Sequence, residues 1–341
     1  MKTKKILVTG GAGYIGSHTI VELADAGFED IFSIDNYINS DPSNYDKLDK
    51  LIKISPSIHE IDLTNRNVVC DFFENNKVDA VIHFAALKSV PESVEEPTKY
   101  YYNNLNSLLN VLDAMQSNGV NQFIFSSSCS VYGNPKKLPV TENFPFGDAE
   151  SPYANTKQMG EEIIQAFTKA HKNFKAISLR YFNPVGAHSS GLIGEGFSKR
   201  PNNLVPIITQ AAAGLREKVV VFGNDYNTRD GSCIRDYIHV CDIANAHVKA
   251  VQLLEDDNLQ SNYQVINLGS GIGTSVLEML NEFEKTNKIK VPFEIGARRE
   301  GDVESIYANN DFAKKTLNWN AKFDLSEMLA SAWKWQQELM G

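Results

Sequence analysis

A glycine-rich stretch near the N-terminus constrains the fold of this 341-residue chain more than any other feature. Residues 6–8 read Ile-Leu-Val, which indicates a buried strand, and residues 10–16 read Gly-Gly-Ala-Gly-Tyr-Ile-Gly. This stretch contains the G-x-G-x-x-G spacing and the wider G-x-x-G-x-x-G spacing. Glycine allows a tight turn, lets backbone N–H groups approach a pyrophosphate and lets the next helix pack on the strand. The pattern predicts a dinucleotide-binding loop and a helix that begins near Tyr14.

An acidic residue further along supports this prediction and selects the cofactor. Residues 17–26 are compatible with a helix that ends at Gly27, and a second strand at residues 31–34 leads to Asp35. Asp35 lies about 20 residues beyond Gly16, where an acid binds the adenosine ribose hydroxyls and repels a 2′-phosphate. The sequence therefore predicts NAD rather than NADP. The alternative is a βαβ unit in which the glycines and the acid are coincidental.

Length and charge restrict the possible partners and location. A chain of 341 residues normally divides into two domains. The net charge of −9 argues against nucleic acid or an anionic membrane as the main partner. No apolar run resembles a signal peptide or a membrane span, so we expect a cytoplasmic protein. Neither the four cysteines nor the seven histidines show metal-ligand spacing, so no metal site is predicted.

Strands alternate with helices through the first half of the chain. The predicted strands include residues 78–86 and 122–128, and long helices are predicted at 98–118 and 153–171. This alternation predicts an α/β fold with a Rossmann-like, doubly wound parallel sheet. After residue 183 the elements become shorter and the loops more polar. We therefore predict an NAD-binding domain at 1–183 plus about 236–262, and a smaller C-terminal α/β domain at about 184–235 plus 263–341.

A tyrosine and a lysine form the candidate catalytic pair. Tyr153 and Lys157 are four residues apart on one predicted helix, so their side chains are neighbours. A nearby ammonium and a positively charged nicotinamide favour the phenolate, which makes Tyr153 a plausible general base for a substrate hydroxyl. Ser128, at the end of the fifth strand, can hydrogen-bond to the same oxygen. The alternative is a surface Tyr–Lys pair, since Y-x-x-x-K is common by chance.

Several motifs in order make the chain similar to a known family. The chain resembles the extended short-chain dehydrogenase/reductase family, and within it the enzymes that epimerise nucleotide sugars. The resemblance covers essentially the whole chain and implies that the smaller domain binds the nucleotide sugar. Its marks are residues 10–18, 125–128, 151–157, 180–187, 201–204, 222–226, 235–240 and 298–302.

The resemblance implies a reversible inversion at C4 of a UDP-hexose, which interconverts UDP-galactose and UDP-glucose. Tyr153 takes the proton of the 4-hydroxyl while the C4 hydride passes to NAD⁺, which gives a transient 4-keto sugar. The keto sugar then presents its other face, and the hydride and the proton are returned to it. Net redox change is zero, so NAD stays bound. Lys157 and Ser128 support the phenolate and the substrate oxygen.

The predicted contact residues come from the glycine loop, the strand ends and the resemblance. For the cofactor they are Gly10, Gly13, Tyr14, Ile15, Gly16, Asp35, Asn36, Asn39, Ser40, Asp62, Leu63, Phe84, Ala85, Ala86, Lys88, Asn103, Ser128, Tyr153, Lys157 and Phe182. For the substrate they are Lys88, Ser128, Tyr153, Asn183, Asn203, Leu204, Phe222, Arg235, Arg299, Asp302 and Ile306. Arg235 and Arg299 also suit a pyrophosphate because a guanidinium binds phosphate oxygens bidentately, although a surface ion pair is the commoner explanation for either alone.

Departures from the family pattern refine the expected activity. Relatives that dehydrate nucleotide sugars carry an Asp-Glu pair after the catalytic serine or threonine, whereas this chain has Cys129 and Ser130. The family residue that gates the sugar pocket falls on Ile306, whose intermediate size leaves use of UDP-N-acetylhexosamines open. A nucleotide-sugar reductase or dehydratase and a non-catalytic NAD-sensing protein are the alternatives. The resemblance also suggests a homodimer formed through the helices at 98–118 and 153–171.

Overall fold

A computed structural model describes residues 4–196, 201, 203–256, 259–299 and 302–341. Asn202, Glu300 and Gly301, which belong to the motifs above, lie outside the described residues. The strands are β1 (Ile6–Thr9), β2 (Ile31–Asp35), β3 (Ser57–Glu60), β4 (Ala80–His83), β5 (Gln122–Ser128), β6 (Lys175–Tyr181), β7 (Asn183–Val185), β8 (Val219–Phe222), β9 (Ile234–His239), β10 (Tyr263–Leu268), β11 (Gly273–Ser275), β12 (Phe293–Gly296) and β13 (Ser305–Ile306).

The helices are α1 (Tyr14–Asp25), α2 (Ser43–Leu48), α3 (Arg66–Asn75), α4 (Val90–Glu95), α5 (Pro97–Ser117), α6 (Pro152–Ala170), α7 (Leu204–Ala212), α8 (Val240–Glu255), α9 (Val276–Asn287), α10 (Asp311–Leu317) and α11 (Leu325–Glu338), with a short 3-10 helix at Cys129–Tyr132. The described part of the chain contains no helix with the length and apolar character that a membrane span requires.

A parallel sheet with flanking helices confirms the predicted fold class. Within the described residues the sheet has seven strands in the order β10-β6-β5-β4-β1-β2-β3. The strand β1 pairs in parallel with β2 on one side and with β4 on the other, so the chain order reverses at β1. In doubly wound sheets a ligand binds beyond the carboxyl ends of the strands at such a reversal. The strands end there at Thr9, Asp35, His83 and Ser128.

The buried side chains explain why these segments form strands and helices. All four residues of β1 and of β4 are buried, as a central parallel strand requires. The helix α5 presents Leu108, Val111, Leu112 and Met115 at helical spacing to the core beneath it. A helix in the polar segment after β2 was not predicted: α2 is held there by the buried Tyr45, whose hydroxyl is hydrogen-bonded with Ser33 (2.7 Å).

Contacts along the chain separate two compact units. The first comprises residues up to Val131, Ser151–Arg180 and Ala244–Ile266, and the second comprises Tyr132–Glu150, Tyr181–Ile243 and Asn267–Gly341. Segments 132–150 and 236–243 group with the second unit, whereas the sequence interpretation assigned them to the first domain. That the first unit is the cofactor domain and the second the sugar domain stays a prediction.

The second unit has its own sheets and its own core. Among its described residues β9 pairs with β11, β13 and β7, and β8 pairs in parallel with β12. The core is formed by apolar side chains from α7, α9 and α11 packed against β8. Both α9 and α11 begin with a capping box, at Ser275 and Asp324 respectively. The strand β9 is therefore held by hydrogen bonds to three neighbouring strands of the same unit.

Candidate active site

The loop between β1 and α1 has the backbone geometry of a phosphate cradle. Gly10 has a positive φ of +72°, and its N–H donates to the carbonyl oxygen of Ile34 (2.7 Å). A Cβ added at Gly16 would lie 2.2 Å from the carbonyl oxygen of Gly10, so only glycine allows this approach. The helix α1 begins at Tyr14 and has no acidic residue in its first turn. Its first N–H groups and its dipole therefore suit an anion.

The carboxylate of Asp35 organises the loops around it. Asp35 is buried, and its Oδ2 accepts from the N–H of Ala12 (3.0 Å). Its Oδ1 accepts from the N–H of Tyr37 (2.9 Å) and from the hydroxyl of Ser40 (2.8 Å). A carboxylate has about four acceptor sites, so these bonds leave capacity for a ribose hydroxyl. Asp35 thus ties the glycine loop to the segment that follows β2.

Predicted contacts beyond Asp35 lie on neighbouring loops of the same unit. Asn36 accepts from the N–H of Ile38 (3.2 Å), and Asn39 donates to the carbonyl oxygen of Ala86 (3.2 Å). That bond brings the loop after β2 next to the loop after β4. Asp62 is exposed and accepts from the N–H and hydroxyl of Thr64 (2.9 and 2.8 Å).

The other predicted cofactor residues of the first unit lie at helix starts and strand ends. Ile15 is partly buried in the first turn of α1, and Leu63, after β3, is buried. Phe84 and Ala85 directly follow β4 and are partly buried. The ammonium of Lys88 is 5.9 Å from the ring centroid of Tyr14. Lys88 therefore reaches the first turn of α1.

The loop after β4 is held by a buried asparagine that the sequence interpretation missed. Asn104 accepts from the N–H of Leu87 (2.8 Å) and donates to the carbonyl oxygen of Leu87 (3.0 Å). It also donates to the hydroxyl of Thr156 on α6 (3.1 Å) and accepts from the side chain of Asn103 (3.0 Å). One side chain thus fixes the loop, the predicted contact Asn103 and the helix α6 relative to one another.

The Asn104→Ala variant is expected to lower the free energy of unfolding by about 2–4 kcal/mol, because it leaves both backbone groups of the buried Leu87 without this partner. Urea denaturation measures the change. Asn118→Ala is the matched control, since Asn118 is exposed just after α5, and about 0.5 kcal/mol or less is expected there. Equal stability of the two variants would show that Leu87 finds other partners.

Ser128, Tyr153 and Lys157 converge at the end of β5. Ser151 caps α6 by accepting from the N–H of Ala154 (3.2 Å), which places Tyr153 in the first turn. The side chain of Ser128 is near enough to the hydroxyl of Tyr153 to lower its pKa. The ammonium of Lys157 donates to the carbonyl oxygen of Ser126 (2.7 Å) and lies 5.8 Å from the ring centroid of Tyr153. The predicted trio is therefore brought together within one unit.

Burial shifts the pKa values of Tyr153 and Lys157. Burial raises the pKa of Tyr153 to about 12, although the hydrogen bond with Ser128 acts in the opposite direction. Burial also lowers the pKa of Lys157 to about 8, and the nearby carboxylate of Glu161 partly offsets this effect. Without a further positive charge, Tyr153 is a neutral phenol at neutral pH. The site can therefore hold a proton on Tyr153 and release it only when additional positive charge lies nearby.

In the second unit two arginines share one carboxylate. Oδ1 of Asp302 accepts from the guanidinium of Arg299 (2.5 Å) and lies 3.7 Å from that of Arg235. The guanidinium carbon of Arg299 is 5.4 Å from the ring centroid of Phe222. Two cations and one anion leave this cluster net positive, and the aromatic ring of Phe222 is 39% exposed beside it. The cluster suits a nucleotide with two phosphates.

The remaining predicted substrate residues are spread over strands and a helix start of the second unit. Ile306 is buried on β13, in register with Arg235 of β9. Asn183 begins β7, and Asn203 directly precedes α7 and donates to Glu195 (2.6 Å). Leu204, the first residue of α7, is partly buried.

Phe182 directly precedes β7. It is buried, and its N–H donates to the carbonyl oxygen of Leu268 (3.1 Å). That Phe182 lines the cofactor stays a prediction. No group of three His, Cys, Asp or Glu side chains in the described ranges could hold a metal ion.

The doubly wound sheet, the glycine loop and the Ser–Tyr–Lys trio define a dinucleotide-binding α/β protein with a potential acid–base centre. The chain belongs to the NAD dependent epimerase/dehydratase family, whose model matches residues 6–269. It is 46% identical over 332 residues to a UDP-glucose 4-epimerase of Yersinia enterocolitica, with 97% of each chain covered.

Two solved structures resemble this fold along nearly the whole chain. A UDP-glucose 4-epimerase from Stenotrophomonas maltophila with bound NAD and formylated UDP-arabinopyranose has a TM-score of 0.95 and 42% identity, and the match covers 99% of each chain. A UDP-glucose 4-epimerase from Bifidobacterium longum in complex with NAD⁺ and UDP has a TM-score of 0.93 and 41% identity over 98% of each chain.

Proposed function

We propose that this chain catalyses the reversible C4 epimerisation of UDP-galactose and UDP-glucose through a transient 4-keto sugar, with NAD held as a bound cofactor. The observation that carries the proposal is the convergence of Tyr153 and Lys157 at the Ser128 end of β5, where the Lys157 ammonium lies 5.8 Å from the ring centroid of Tyr153 and donates to the carbonyl oxygen of Ser126 (2.7 Å). Membership of the family and the high identity to UDP-glucose 4-epimerases support the same activity.

The glycine loop of the first unit supports NAD binding independently of the similarity to UDP-glucose 4-epimerases. The approach of Gly16 to Gly10 leaves no room for a side chain where a pyrophosphate would meet the helix start. The carboxylate of Asp35 retains acceptor capacity for a ribose hydroxyl and would repel a 2′-phosphate. When bound, NAD supplies a hydride acceptor and, in its reduced form, a hydride donor.

Side chains of this protein hold and transfer the proton of the substrate 4-hydroxyl. Tyr153 as phenolate takes the proton of the 4-hydroxyl, and Ser128 hydrogen-bonds to the same substrate oxygen. The ammonium of Lys157 stabilises the phenolate. Tyr153 then returns the proton to the 4-oxygen after the keto sugar has presented its opposite face. Arg235 and Arg299 would hold the pyrophosphate, so the sugar can turn about a fixed link.

The residues after Ser128 favour epimerisation over dehydration. Elimination of water needs an acid and a base at the sugar, and Cys129 and Ser130 of the 3-10 helix carry no carboxylate. Incubating the purified chain with UDP-galactose alone, without added nicotinamide cofactor, tests the proposal, and UDP-glucose is expected. A dehydrated product, or turnover only with stoichiometric reductant, would support the other enzymes of the family. An absence of product would support a non-catalytic NAD-binding protein.

N-acetylated sugars are a second candidate substrate class. Ile306 stands where an excluding tyrosine would lie according to the family resemblance, and its side chain is smaller than a phenol. We expect turnover of UDP-N-acetylglucosamine, and we expect Ile306→Tyr to lower kcat/KM for that sugar about 10- to 100-fold more than for UDP-galactose. Ile306→Val is the control and should change kcat/KM little for either sugar. No turnover of N-acetylated sugars by the unmodified chain would contradict this prediction.

A homodimer and a cytoplasmic location complete the proposal. The helix α5 exposes Tyr102 (61%) and Leu109 (46%), apolar side chains that a second copy could cover. Sedimentation equilibrium tests the oligomeric state. The cytoplasmic location stays the prediction made from the pattern of apolar residues in the sequence.

A further inference from the structure

A buried carboxylate lies one helical turn beyond Lys157. Glu161 is 2% exposed, and Arg180 of β6, its ion-pair partner, is 4% exposed. The guanidinium donates from Nε to Oε1 of Glu161 (2.8 Å) and from Nη2 to Oε2 (2.7 Å). The same carboxylate accepts from the hydroxyl of Ser127 (2.5 Å) and more weakly from that of Tyr263 (3.4 Å). Every partner is buried or half-buried in the first unit.

Stability is a poor explanation for this arrangement. A buried ion pair costs so much desolvation that apolar side chains of similar volume often stabilise a fold as well or better. Such pairs are valuable where they fix one geometry among several. The bidentate contact between Arg180 and Glu161 leaves the carboxylate a single orientation, and that orientation presents Oε1 to Ser127.

The carboxylate connects the helix of the catalytic pair to the strand that carries the serine. Lys157 donates to the carbonyl oxygen of Ser126, and Glu161 accepts from the side chain of Ser127. The next residue of β5 is Ser128. Two successive turns of α6 are therefore attached to two successive residues of β5, directly before Ser128.

We propose that Glu161 is a positioning residue that holds Lys157 and the Ser128 end of β5 in register with Tyr153. Its carboxylate, oriented by Arg180, anchors α6 to Ser127 and places a negative charge one turn from the Lys157 ammonium. This inference rests on the proposed function, because the three side chains it positions are the proposed catalytic group.

The surrounding charges make the role of this carboxylate measurable. Lys157 faces Tyr153 and Glu161 on its own helix and His83 on β4. Burial lowers the pKa of His83 to about 3, so this imidazole is neutral and supplies no charge. Glu161 raises the pKa of Lys157 against the effect of burial. Removing the carboxylate therefore shifts the loss of the Lys157 proton to lower pH.

Two variants separate positioning from packing. Glu161→Leu with Arg180→Met removes both charges at similar volume and avoids an unpaired buried cation. Ser127→Ala removes only the link to β5 and keeps the ion pair. Thr168→Val is the control, because Thr168 is buried on the same helix and bonds only locally, to the carbonyl oxygen of Gln165.

In the holoenzyme, the double variant is expected to lower kcat about 10- to 100-fold with KM for UDP-galactose within about twofold. The alkaline limb of its kcat–pH profile should move to lower pH. Ser127→Ala should lower kcat about fivefold, as the loss of one hydrogen bond implies, and Thr168→Val should match the unmodified enzyme. If the double variant does not fold, the kcat of Ser127→Ala alone tests the positioning role of Glu161. The proposal would be overturned if kcat of the double variant and of Ser127→Ala stayed within twofold of the unmodified enzyme and the alkaline limb of the kcat–pH profile did not move.

A second measurement does not depend on the reaction. ¹⁵N NMR of the Lys157 side chain, assigned with Lys157→Arg, follows its titration in the chain without substrate. A lower titration midpoint in the double variant supports the positioning role even if the unmodified chain shows no epimerase activity, in which case only the proposed function fails. An unchanged midpoint together with unchanged kcat would show that Glu161 only packs.

Discussion

The Tyr153→Phe variant is expected to lose about 10²- to 10⁴-fold in kcat while the fold stays intact, because it removes the only atom of this side chain that can accept and return a proton. The ring keeps its place in the first turn of α6, and the loss of its hydroxyl leaves Ser128 beside a partly buried ring. Steady-state rates with UDP-galactose measure the effect, and absorbance of the released nicotinamide measures cofactor content, which should not change.

A second tyrosine on the adjacent helix provides the control. Tyr101 of α5 donates its hydroxyl to Asn155 of α6 (2.8 Å), so Tyr101→Phe also removes a hydroxyl that bonds to the catalytic helix. Its kcat should fall no more than about fivefold, the effect of one lost hydrogen bond. Comparable losses in both variants would show that helix geometry, rather than proton transfer by Tyr153, limits the rate.

The pH dependence of Tyr153 follows from its burial. Burial raises its pKa to about 12, so the phenolate is scarce at neutral pH in the chain without cofactor. The positive charge of oxidised nicotinamide favours the phenolate and therefore lowers this pKa in the holoenzyme. Ultraviolet titration of the cofactor-free chain, compared with that of Tyr153→Phe, should place the ionisation of Tyr153 near pH 12, and the acid limb of kcat in the holoenzyme should lie well below it.

Local sequence patterns predicted the parts of the site that depend on neighbouring residues. The glycine loop, the start of α1 at Tyr14 and the pairing of Tyr153 with Lys157 each follow from spacing within one turn or one helix. Asp35 was predicted as a cofactor contact because the length of a βαβ unit fixes its distance from Gly16.

Contacts between distant segments could not be predicted in this way. Nothing near Asn104 indicates that it binds both backbone groups of Leu87, since the bond depends on how α5 packs beside the loop after β4. Glu161 lies on the same face of α6 as Tyr153 and Lys157, but its partner Arg180 lies on the strand β6. The interpretation of Asp35 as a ribose ligand also omitted its bonds to Ala12 and Ser40, which make the same carboxylate a structural support.

The Gly16→Ala variant should have the largest effect on cofactor binding. A methyl group at position 16 would lie 2.2 Å from the carbonyl oxygen of Gly10 and 2.9 Å from the Cα of Gly11. Both contacts are with backbone, so no side chain can move aside, and α1 must separate from the loop. We expect an overpacking cost of about 1–3 kcal/mol and a loss of NAD affinity of about 100-fold or more, since the first N–H groups of α1 leave the pyrophosphate.

The matched control is Gly196→Ala, where an added Cβ meets nothing within 4 Å and the residue is exposed. Thermal unfolding and calorimetric titration with NAD measure the two effects separately. Because bound cofactor stabilises the folded chain, the unfolding temperature of Gly16→Ala should rise less on addition of NAD than that of the unmodified chain. An unchanged NAD affinity in Gly16→Ala would mean that the glycine loop only connects β1 to α1, and the proposed place of the cofactor would then be wrong.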